Sequence, residues 1–152
     1  MTTTSPVRGV PTMLGHIALR VRDVPRAAAF YRDALGLNVR MEGHGMAFLG
    51  IRPEASHEIA LFPLPADAEG PDPARVGMYH MAWEMASFAE LEALNERLKG
   101  MDVSIVGYSD RQCNVMVLDP DGNELEAIWE PTADEVARSK DPGAAPLPML
   151  AH

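Results

Sequence analysis

His16, His80 and Glu126 are the residues in this chain whose types and spacing could do chemistry. Two neutral imidazoles and one carboxylate, each on a different strand, make a facial triad that leaves coordination positions open, the arrangement suited to Fe(II). Mn(II), Zn(II), Ni(II) or Co(II) could occupy the same donors. The histidines hold equivalent positions in a duplication. Residues 15–39 (GHIALRVRDVPRAAAFYRDALGLNV) align without a gap to residues 79–103 (YHMAWEMASFAELEALNERLKGMDV). A second pair, SHEIALF (56–62) and NELEAIW (123–129), closes each half and brings Glu126 into the last strand. Such self-similarity marks a repeated structural unit.

The elements that must position these residues follow from periodicity. In 16–21, His16, Ala18 and Arg20 share one face and Ile17, Leu19 and Val21 the other. In 80–85, His80, Ala82 and Glu84 oppose Met81, Trp83 and Met85. Asp23 as N-cap, Pro25 in the first turn and Gly36 at the end bound a first helix. Ser87 with Glu90 forms a capping box for a second, whose stripe of Phe88, Leu91, Leu94 and Leu98 ends at Gly100. Strands are expected near 39–42, 45–51, 57–62, 103–107, 113–118 and 123–129, the last folded back by the Asp119-Pro120-Asp121-Gly122 turn. Each half therefore reads strand, helix, three strands. The helices should cover the outer, apolar face of each sheet, leaving His16, His80 and Glu126 on a face that lines a cleft.

The domain plan is a tail at 1–12, a first module at 13–65, a linker at 66–76, a second module at 77–131 and a tail at 132–152 with a short helix at 132–138. The Pro- and Gly-rich run 63–77 cannot sustain helix or strand. A formal net charge of −9 with two lysines disfavours nucleic acid and anionic membranes. Without a signal-like or membrane-length apolar run, a cytoplasmic protein is expected. The single cysteine, Cys113, excludes an internal disulfide framework and reads as a packing residue. His44, between two glycines, reads as a turn residue. Glu124 and Glu130 read as solvated strand ends, Arg20 and Glu84 as a potential salt bridge, and most of the ten methionines as core.

The stretches GHIALRVRD, AAAFYRDALGL, SHEIALF, YHMAWEM and VLDPDGNELEAIWE resemble the vicinal oxygen chelate superfamily, which contains glyoxalase I, the fosfomycin and bleomycin resistance proteins and the extradiol ring-cleavage dioxygenases. The resemblance covers 13–131. It implies an α+β fold of two tandem βαβββ modules forming a cupped mixed sheet around a divalent metal, commonly in a homodimer. Ala60 stands where glyoxalase I carries a fourth ligand, so the three-ligand pattern of the extradiol branch fits better. That branch implies an Fe(II)-dependent dioxygenase using O2 on a catechol or related diol, with His57 at the place of its acid–base histidine. Strict alternation puts His57 opposite Ala60, so it reaches the cleft only if the strand begins or bulges there. Two departures stand against this: Met116 replaces a tyrosine, and Arg111 replaces a histidine in the preceding loop. The alternative is a non-catalytic protein that sequesters an aromatic small molecule; a metal-dependent isomerase or lyase is the third reading. Arg111 could hold an anionic substrate group and Tyr108 approach from the same loop, but both read first as residues of an ordinary exposed loop.

Overall fold

The computed structural model describes residues 9–109 and 112–138, with the side chain of Arg138 excepted. The element order is β1 (Ile17–Val21), α1 (Val24–Leu35), β2 (Asn38–Gly43), β3 (Met46–Gly50), β4 (Ile59–Pro63), β5 (His80–Glu84), α2 (Phe88–Lys99), β6 (Ser104–Ser109), β7 (Asn114–Leu118), β8 (Glu124–Ile128) and α3 (Ala133–Arg138). Two four-stranded sheets result, ordered β1-β4-β3-β2 and β5-β8-β7-β6. In each, the first strand pairs parallel with the last and the remaining pairs are antiparallel. This is the tandem βαβββ α+β fold. The repeat extends to its irregularities: β2 shifts register between Val39 and Met41, and β6 between Ile105 and Gly107.

Capping follows the local chemistry of the sequence. Asp23 accepts the Arg26 N–H and Ser87 the Glu90 N–H, each satisfying a donor with no partner inside its helix. Gly36 ends α1 at φ 75°, where a side chain would be strained, and the N–H groups of Gly36 and Leu37 return to the carbonyls of Arg32 and Tyr31. Gly100 ends α2 differently, in a right-handed conformation at φ −83°, so that position does not require glycine for its dihedral angle. His44 and Gly45, both at positive φ, make the turn between β2 and β3.

Helix α1 covers β3 and β4, and α2 covers β6 and β7. Leu91, Leu94 and Leu98 of α2 are at most 1% exposed, each contributing about 1.5–3 kcal/mol through burial. They share one core with Leu19, Val21, Leu49, Leu61, Val115, Val117 and Leu125. The intervening strand residues are turned to the opposite, open face.

The modules are joined where α1 meets α2 and where the Asp119–Gly122 turn meets the first module. Arg97 of α2 donates to the Ala34 carbonyl near the end of α1, at 3.2 and 2.9 Å. Tyr31 of α1 donates its hydroxyl to Asp119 at 2.9 Å. Asp119, 4% exposed, also accepts the backbone N–H groups of Asp121 and Asn123 and the Asn123 amide. Asp121 in turn accepts the Arg22 backbone N–H and Nε. Burial, then the charge of Asp119 and their hydrogen bond, push the Tyr31 phenol far above its ordinary pKa, so it stays a donor throughout the stable pH range.

Tyr31→Phe should lower unfolding free energy by about 1–3 kcal/mol, and Asp119→Ala by more because several buried donors then lose their acceptor. Urea midpoints of the purified variants check both the sizes and their order.

Candidate metal centre

His80, at the start of β5, places Nε2 3.2 Å from Oε2 of Glu126 on β8. The two strands are parallel neighbours, with Ala82 directly opposite Glu126, so both side chains rise from the open face. Glu126 is 13% exposed and His80 30%. Oε1 of Glu126 accepts the Asn114 amide at 2.7 Å. His80 Nδ1 is buried without a hydrogen-bond partner among the described residues. With Nε2 protonated, the contact is a hydrogen bond that leaves Nδ1 a bare acceptor.

His16 immediately precedes β1 and contacts a different partner. Its ring lies 4.6 Å from that of His57, which sits 5.0 Å from Phe48 and edge-on to it. Phe48 faces Phe62 at 6.2 Å. His57 therefore reaches the open face, and the reason is the strand start. β4 begins at Ile59, so the alternation that would have turned His57 away does not yet apply. The Ser56 hydroxyl meets His57 Nδ1 at 3.0 Å.

The loop before His57 is fixed by Glu58, which sequence reasoning passed over. Its carboxylate takes the Ile51 N–H at 2.8 Å and the Arg52 Nε at 2.6 Å. Burial pushes the Glu58 pKa up, but the Arg52 hydrogen bond, the Ile51 N–H and the Arg52 charge outweigh it, and the net shift is downward. Gly50 leaves room for this carboxylate: a Cβ there would lie 2.5 Å from Glu58 Oε2.

The expected ligands thus form two groups, His16 with His57 and His80 with Glu126. Among the described residues, no three His, Cys, Asp or Glu side chains are gathered as a ready metal cage. The His80–Glu126 pair suits a divalent ion on its own geometry. Ligand atoms about 2.1 Å from a metal stand about 3.0 to 3.4 Å apart for octahedral or tetrahedral angles, a range that includes 3.2 Å. His16 is not part of that pair; with Ile17, Met81, Ala82 and Trp83 it lines a cavity of about 150 Å³. Ala60 sits opposite Ala18 in the first sheet as Glu126 sits opposite Ala82 in the second, so its alignment with Glu126 is correct in three dimensions. Met116 lies directly across from Glu126. Glu130 is exposed, Glu124 half-buried opposite His80, and Arg20 and Glu84 form no ion pair with each other among the described residues. Arg111 lies outside the described residues.

The chain belongs to the glyoxalase/bleomycin resistance protein/dioxygenase superfamily, whose sequence profile matches residues 13–127. Its fold is similar to that of the trypanothione-dependent glyoxalase I of Leishmania major (24% identity, 84% of this chain and 93% of that one, TM-score 0.66). It is also similar to lactoylglutathione lyase from Agrobacterium tumefaciens (24%, 78% and 94%, TM-score 0.60). A fosfomycin resistance protein from Listeria monocytogenes matches at 20% identity over 83% and 98%, with TM-score 0.62. No curated protein matches the sequence. These likenesses establish the vicinal oxygen chelate fold without singling out the extradiol branch. No described helix is long and apolar enough to cross a membrane.

Because the folded-state pKa of Glu58 is depressed, its stabilisation is present above the unfolded carboxylate pKa and lost as pH falls through the folded value. Glu58→Gln should therefore be less stable than wild type at neutral pH, with the difference closing on acidification. A stability difference that stays constant from neutral to acid pH contradicts this assignment.

Proposed function

We propose that the protein is a metal-dependent enzyme acting on vicinal oxygens of a small aromatic substrate, with His16, His80 and Glu126 as ligands and His57 as the acid–base residue. The observation that carries this reading is the placing of two imidazole–partner contacts, His80–Glu126 and His16–His57, on the open faces of the repeated sheets. Fe(II) is the first choice of ion. Held by His16, His80 and Glu126, it would supply Lewis acidity toward adjacent substrate oxygens and the redox capacity that O2 chemistry needs.

The chain's own groups supply the rest. Glu126 brings the negative charge, and Asn114 orients it. In the tautomer where His57 Nδ1–H donates to Ser56, Nε2 is the atom that takes a proton from a substrate hydroxyl, and an imidazole is suited to that task near neutrality. Phe48 and Phe62 offer ring faces and edges to a flat ligand. To complete the ligand set within one chain, His16 would turn from His57 toward the His80–Glu126 pair, across the cavity it lines with Ala82. The protein works as a homodimer in the cytoplasm.

The second reading, a protein that sequesters an aromatic molecule without reacting it, is favoured by Met116, an apolar side chain directly opposite Glu126 where the extradiol branch has a tyrosine.

Anaerobically iron-loaded protein should consume O2 with a catechol and form a yellow ring-fission product. His57→Ala should retain iron and lose about 10²- to 10⁴-fold in rate. Iron-loaded protein that binds catechols across a broad panel without turnover selects the sequestering reading. Metal binding restored by mixing His16→Ala with His80→Ala protein would refute assembly within one chain.

A further inference from the structure

We infer that Asn114 is a positioning residue that restricts Glu126 to ligation through one oxygen. The inference rests on the metal reading above and specifies how the carboxylate serves it.

The two oxygens of Glu126 have different partners. Oε1 is held by the Asn114 amide at 2.7 Å, while Oε2 faces His80 Nε2 at 3.2 Å. The Asn114 contact is a strong, charge-assisted hydrogen bond in a half-buried setting. A carboxylate with one oxygen so engaged presents a single free oxygen toward the imidazole. One-oxygen ligation consumes one coordination position instead of two, which leaves the extra position for substrate.

The amide is anchored firmly enough to enforce this. Asn114 opens β7 next to Cys113, which is fully buried and held at φ 54°, a left-handed conformation uncommon outside glycine. The Cys113 carbonyl accepts the Trp129 N–H at 2.9 Å, tying the start of β7 to the segment just after β8. The side chain therefore projects from a fixed backbone onto the face that carries Glu126.

The repeat provides an independent control. In the second sheet Met116 faces Glu126, and Asn114 lies two residues before it. In the first sheet Phe48 faces Ala60, and Met46 lies two residues before it. The amide is present in the module that has the carboxylate and absent from the one that lacks it. That distribution is the one expected of a partner for the carboxylate.

The test is a Co(II) titration of the full chain, followed by visible absorption, whose intensity falls as coordination number rises. Wild type should take up one Co(II). Asn114→Leu and Asn114→Ala, with folding verified by thermal unfolding of the metal-free proteins, should bind about 10- to 100-fold more weakly and absorb less per ion as the freed Oε1 joins the metal. Asn114→Gln, which keeps an amide donor, should recover part of the affinity. Leu and Ala variants that bind as tightly as wild type with its spectrum overturn the positioning role alone. A wild type that takes up no Co(II) overturns the metal centre itself and the positioning role with it. If the truncations do not fold, the metal-minus-apo infrared difference spectrum of wild type decides: a one-oxygen carboxylate splitting supports the role, and a two-oxygen splitting refutes it.

Discussion

A strand that gives every second side chain to a helix-covered core must turn the others the opposite way, and this alternation organises the whole molecule. Leu19, Val21, Met81, Leu125 and Ala127 are buried in the shared core. The same strands then have no choice about His80, Ala82 and Glu126, which emerge together on the far side. A slip of one residue in β8 would bury the Glu126 carboxylate in hydrocarbon and expose Leu125, and both changes are costly. The packing of the core thus fixes the register of the candidate ligands.

This is also why much of the molecule could be read from its sequence. Alternation in 16–21, 80–85 and 123–129, the Asp23 and Ser87 caps and the Asp119–Gly122 turn are local signals, and each appears in the structure where local chemistry put it. His57 shows where such signals fail. Its access to the open face depends on β4 starting two residues later, and on a loop held by Glu58, Ile51 and Arg52 that only the folded chain brings together. Asn114 was missed for a related reason: its contact with Glu126 is a diagonal pair across a ladder, visible only once the register of β7 against β8 is known. Tyr31 and Asp119, far apart in sequence and in different modules, meet through packing that no periodicity encodes.

The two modules share a backbone plan and divide the chemistry. At matched positions on the open faces, the first carries Met46, Phe48 and Ala60 and the second Asn114, Met116 and Glu126. Ala60 is 1% exposed although it lies on the open side, with Phe48 across the ladder and Phe62 two residues on. A carboxylate there would be desolvated against aromatic rings with no amide to receive it, a penalty of several kcal/mol without a metal to offset it. In the second module the carboxylate keeps an amide on one oxygen and an imidazole beside the other. The asymmetry therefore sorts by solvation: the half with hydrogen-bonding partners retains the charge, and the half without them supplies ring surfaces and the His16–His57 pair. On the proposed function, a flat ligand with adjacent oxygens would use both, a polar end to be gripped and an apolar body to be stacked, each from a separate sheet.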